Sequence, residues 1–130
     1  MAKYMLIMRG TDESMAKMMD TPFEEMLETV GRFNEELIRA GVLVAAESLY
    51  DPGQGVVVDF GGETPVVTDG PYGETKELFG GFYLIDVASK EEAVEWATRC
   101  PGSANEVIEV RPIFELSDFP PEVRAAAGAA

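Results

Sequence analysis

Residues 22–40 constrain the fold of this chain more than any other stretch. Phe23, Met26, Leu27, Val30, Phe33, Leu37 and Ile38 fall on one stripe at helical spacing. Thr21-Pro22-Phe23-Glu24 reads as a helix start: Thr21 as N-cap, Pro22 at the first helical position, and Glu24 completing a capping box. Gly41 sits where a C-terminal cap residue belongs. A helix with a single apolar stripe must bury it against another layer, and its sequence neighbours are strand-like.

Residues 3–8 are short, apolar and followed by the turn-prone Gly10-Thr11-Asp12, so they read as a first strand. Residues 13–19 fit either a short helix or a loop. Residues 42–49 predict a second strand, and Asp51-Pro52-Gly53-Gln54-Gly55 a turn. Residues 56–60 and 65–68 form two extended runs around Gly61-Gly62, which suggests a hairpin. Asp69-Gly70-Pro71 then breaks the pattern. Residues 81–87 alternate with strand period, Phe82, Leu84 and Asp86 against Tyr83, Ile85 and Val87. Ser89-Lys90-Glu91-Glu92 is a second capping box, opening a helix that carries Ala93, Trp96 and Ala97 and stops before Pro101. Residues 107–116 predict the last strand, with Ile108, Val110 and Phe114 opposite Glu109, Arg111 and Glu115. The segment 117–130, with Pro120-Pro121 and a terminal AAAGAA, is low in complexity and is expected to be loose or to pack on a partner.

The order is β-α-β, an inserted β-hairpin, then β-α-β. This predicts an α+β fold with a ferredoxin-like core: one antiparallel sheet, both helices on one face, a domain over residues 1–116 and a tail over 117–130. The first strand has apolar residues on both sides, Met5 and Ile7 against Tyr4, Leu6 and Met8. An apolar second sheet face needs cover, and a homodimer meeting face to face supplies it.

Ten Lys and Arg against 24 Asp and Glu give a formal net charge of −14, a surface that repels phosphate backbones and anionic lipid. No basic cluster offsets it, so neither nucleic-acid nor membrane binding is expected. The chain has no histidine, which removes the usual general base near neutral pH and the commonest metal ligand. With one cysteine, Cys100, neither an internal disulfide nor a structural zinc site can be built. No metal and no cofactor are expected. The apolar stretch Tyr4 to Met8 is too short for a signal peptide or a membrane span, and the expected location is cytoplasmic.

Residues 66–87, VVTDGPYGETKELFGGFYLIDV, resemble the signature of the YciI-like superfamily, in the branch named for its Asp-Gly-Pro-Phe (DGPF) segment, with Tyr72 replacing the Phe. Glu35-Glu36-Leu37 with Ala40-Gly41-Val42-Leu43 resembles the end of that family's first helix, and residues 107–112 (VIEVRP) its last strand. The resemblance covers residues 3–115. It implies a dimeric α+β barrel and no agreed activity. Some relatives look like lyases or dehydrochlorinases with a His–Asp dyad whose His would fall near Val30, and others appear beside sigma factors. The absence of histidine here speaks against the dyad chemistry.

Asp69 reads either as an acid/base or anchoring carboxylate lining a cleft, or as part of a turn. Lys76 and Glu77 read either as an anion anchor and a base, or with Glu74 as exposed ion pairs. Arg9 and Arg111 could hold an anionic ligand bidentately, or pair with Glu47 or Glu109. Tyr83 could donate to a ligand, or serve the core with its hydroxyl at the rim. Asp69 and Glu77 are thus the catalytic candidates, and Arg9, Asp69, Lys76, Tyr83 and Arg111 the ligand-binding ones. Two functions follow. One is small-molecule binding beside the Asp-Gly-Pro-Tyr loop, with cofactor-free proton transfer of the lyase type if catalytic. The other is a non-catalytic regulatory or interaction module linked to sigma-factor systems.

Overall fold

The computed structural model describes residues 1–11, 13, 20–50, 52–70, 78–101 and 107–126. Six strands are β1 (Ala2–Gly10), β2 (Leu43–Ser48), β3 (Val56–Asp59), β4 (Val66–Asp69), β5 (Leu78–Val87) and β6 (Val107–Pro112). Among the described residues the helices are α1 (Phe23–Arg39), α2 (Lys90–Arg99) and α3 (Pro121–Ala126). Four strands form one antiparallel sheet in the order β2-β5-β1-β6, and β3 and β4 form a separate hairpin between β2 and β5. This is the ferredoxin-like α+β arrangement with its inserted hairpin. No helix among the described residues is long and apolar enough to cross a membrane.

The ends of α1 differ in kind. Its start lacks the expected Thr21–Glu24 box: Pro22 takes the N-cap position with an extended backbone, and its carbonyl accepts from Met26 N at 3.1 Å. Proline's fixed φ orients the first turn, but it has no side-chain acceptor to give. The C-terminus is a Schellman motif. Gly41, at φ 72°, donates to the Ile38 carbonyl and Val42 to that of Leu37. Leu37 and Val42 are both buried, so the cap turns the chain straight into β2.

Helix α2 forms as its sequence predicts, with one shift. Ser89 Oγ accepts from Glu92 N at 3.2 Å, while the Glu92 carboxylate reaches past the cap residue to Ala88 N at 2.9 Å. Strand β6 ends at Pro112, short of the expected Leu116. Phe114 is therefore not on the inner face with Ile108 and Val110; it is exposed and stacks on Phe119 at 5.4 Å. The tail contains a tight turn at residues 116–118 and then α3.

Register assigns the two faces. Leu6 lies opposite Tyr83 and Val110, and Tyr4 opposite Ile85, on the side that α1 and α2 cover. Leu6, Leu37, Ile85 and Val87 are fully buried there. Phe33 meets Tyr83 edge-on at 5.3 Å and Trp96 at 6.2 Å, tying both helices to β5. Arg99 lies 4.3 Å over the Trp96 ring and reaches Glu36 at 2.6 Å, clasping α2 to α1. On the opposite face Met5 lies opposite Leu84, and Ile7 opposite Phe82.

Two one-residue irregularities bend β5 and its neighbours, leaving Val44 of β2 and Gly80 of β5 without Cα partners. Beside the second, Gly81 makes a close approach. A Cβ there would meet the Glu47 carbonyl at 2.6 Å and Met8 Cε at 2.7 Å. Gly81→Ala should therefore cost about 1–3 kcal/mol by urea unfolding. Gly31→Ala on exposed α1, whose methyl would meet nothing within 4 Å, should stabilise by about 0.5–1 kcal/mol.

Candidate functional site

Val30 and Asn34 are one turn apart on α1 and project from the same side of the helix. Below them the β2–β5 register sets Ala46 opposite Tyr83, Glu47 opposite Phe82 and Ser48 opposite Gly81, and β1 brings Met8 opposite Gly81. These elements enclose a cleft of about 110 Å³, partly open to solvent, lined by Met8, Val30, Asn34, Ala46, Glu47, Ser48, Phe82 and Tyr83. Gly81 lets β1, β5 and β2 draw together at its base.

The polar groups of the cleft are unequal. Asn34 Oδ1 is buried and has no hydrogen-bond partner among the described residues. Leaving a buried acceptor unpaired costs roughly 1–3 kcal/mol. Ser48 is exposed on the β2 wall, while Glu47, opposite Phe82 in the register, turns its side chain to the other face of the sheet. Tyr83 is 4% exposed, and its phenol is pushed up to about 12, by burial first and by the neighbouring Cys100 second. At neutral pH it is a neutral hydroxyl that can donate a hydrogen bond but cannot act as a base.

Of the residues singled out from sequence, Tyr83 lies on this cleft. Arg9 does not: its guanidinium meets Glu109 at 2.6 Å on the β1–β6 side of the sheet, with Arg111 Nε 3.7 Å from the same carboxylate. Asp69 is exposed at the end of β4, opposite Val56. The following Gly70, at φ 79°, donates to the Gly55 carbonyl at 2.8 Å, which continues the β3–β4 ladder by one pair. Lys76 and Glu77 lie outside the described residues. Sequence reasoning passed over Asn34. Its signal was available: a polar amide one turn past Val30, flanking the apolar stripe of α1.

The sequence profile of the YCII-related domain matches residues 2–117. Over 36 residues the chain is 61% identical to Uncharacterized protein R00369 of Rhizobium meliloti (strain 1021), a segment that spans 28% of this chain and 28% of that protein. Val30, near which the resemblance would set a catalytic histidine, is on the wall of the cleft.

The Tyr83 environment fixes a pH dependence. Its folded pKa is raised above the ordinary value of 10.0, so the stability it confers is full below pH 10 and is lost as pH climbs through about 12. Alkaline unfolding should show this as a loss of about 2–3 kcal/mol across that window. In Tyr83→Phe the component should vanish, and with it the tyrosinate absorbance step near pH 12.

Proposed function

The chain belongs to the YCII-related domain family, and on that premise we propose that it binds a small molecule in the cleft between α1 and the β2–β5 strands. Asn34 Oδ1 carries this reading. A buried acceptor without a donor among the described residues, beside a cleft of about 110 Å³, is a group retained for something that supplies the donor. The rest of the lining supports it, with Met8, Val30 and Ala46 for contact area and the Tyr83 hydroxyl for orientation. A single cysteine suits a reducing compartment, and we assign the protein to the cytoplasm.

The same protein is proposed to act as a homodimer. Met5, Leu84 and Phe82 stand half-buried on the sheet face opposite α1 and α2, and a second copy would complete their burial. A non-catalytic interaction module remains the second reading, supported by the β3–β4 hairpin, where Val56, Val58, Phe60, Val66 and Val67 are exposed.

Two measurements test these assignments. In a ligand-observed NMR screen of small polar fragments, binders of the wild type should lose affinity at least about tenfold in Asn34→Leu, whose folding stability should stay equal or rise by about 1 kcal/mol. Fragments that bind the variant equally well would remove the cleft as the site. By sedimentation, the wild type should be dimeric and Leu84→Glu monomeric with an unchanged circular dichroism spectrum; a monomeric wild type would refute the dimer.

A further inference from the structure

The polar groups of the cleft narrow the class of ligand, an inference that rests on the binding reading above. Register decides which side chains face it. Ala46 and Ser48 lie opposite Tyr83 and Gly81 on the α1 side of the sheet, whereas Glu47 and Phe82 turn their side chains to the other face. Among the described lining residues the polar side chains on the α1 side are therefore Asn34, Ser48 and Tyr83, and all three are uncharged at neutral pH. Asn34 Oδ1 is buried with no donor among the described residues. An amide side chain carries its acceptor and its two donors in one plane. Its full complement is another amide, whose N–H donates to Oδ1 while its carbonyl accepts from Nδ2. We infer that the cleft takes a small uncharged molecule with a primary carboxamide on an apolar stem, the carboxamide paired with Asn34 and the stem against Met8, Val30 and Ala46.

Other small ligands fit this set of groups less well. A carboxylate accepts only, so it leaves Asn34 Oδ1 unpaired, and it gives up water for a lining without a counter-charge. An ammonium supplies donors but offers no acceptor to Nδ2, and it meets the same uncompensated desolvation. An alcohol has one donor and makes one bond to the amide at a time. Half a turn of the Asn34 amide exchanges its oxygen and nitrogen, and a carboxamide pairs with either orientation. The four chemistries are separable with probes of one chain length.

The test uses the full chain, isotope-labelled, titrated separately with butyramide, sodium butyrate, n-butylamine and 1-butanol while backbone amide shifts are followed. The formal charge of −14 enriches any cation near the surface, so the titrations are run at about 0.15 M salt, where that field is screened beyond about 8 Å. Butyramide should shift the amides of Val30, Asn34, Ala46, Ser48 and Tyr83 saturably and bind more tightly than the other three. Asn34→Asp keeps an acceptor and loses the donor, so it should weaken butyramide at least about tenfold and make butylamine the tightest probe. If butyrate, butylamine or 1-butanol matches butyramide on the same amides of the wild type, the cleft stands as a binding site and the carboxamide assignment falls. If no probe shifts them, both fall. Butyramide binding that is indifferent to Asn34→Asp would also overturn the assignment. Should circular dichroism show that variant unfolded, the ranking of the four probes on the wild type decides.

Discussion

Phe33 holds this domain together by touching two rings at once. It meets Tyr83 on the sheet and Trp96 on α2, both edge-on, so one side chain of α1 fixes the helix against β5 and against its neighbouring helix. Each such contact contributes about 0.5–1.5 kcal/mol beyond the area it buries. Arg99 extends the chain of contacts over the outer side of Trp96 and back to Glu36 on α1. That outer ion pair is exposed and adds little energy. Around these rings the fully buried Leu6, Leu37, Ile85 and Val87 supply the bulk of the hydrophobic stabilisation.

The cleft is a by-product of the same packing. Tyr83 closes the core on one side and forms the cleft wall on the other, so core and site cannot vary independently. Gly81 lets the Glu47 carbonyl and Met8 crowd the backbone closely, which draws three strands together beneath α1. Above this base the helix presents Val30 and Asn34, too small and too polar to fill the space. The result leaves an unpaired acceptor in a sheltered place, at a cost in folding free energy.

Charge divides the molecule in a second way. The sheet face away from the helices carries Arg9, Glu109 and Arg111 as a short ion-pair row beside an apolar group of Met5, Ile7, Phe82 and Leu84. Sequence reading anticipated both outcomes for the arginines, ligand anchor or partner of Glu109, and the ion pair with Glu109 is formed. Asp69 ends β4 next to Gly70, apart from the cleft lining. An Asp or an Arg reports its chemistry in the sequence, but its neighbours come from strands a hundred residues away.

The sequence by itself determined the elements and their order, because periodicity and capping are local. The helix α1, the Gly41 stop and the Ser89 start each act within a turn or two of chain, and each appears in the structure close to where it was expected, although Phe23, Leu27 and Ile38 of the expected apolar stripe are exposed. The βαβ order with a hairpin insertion then leaves few ways to bury two helical stripes, which fixes the ferredoxin-like sheet. Local signals failed where a long-range partner decided: the Val44 irregularity, the end of β6 at Pro112, and the departure of Phe114 from the inner face. Only the tertiary structure decided the site. Asn34 became a buried acceptor, and Tyr83 a shielded phenol, when register laid β2, β5 and β1 together under α1 and desolvated them. Desolvation is a property of packing, and no residue carries it alone.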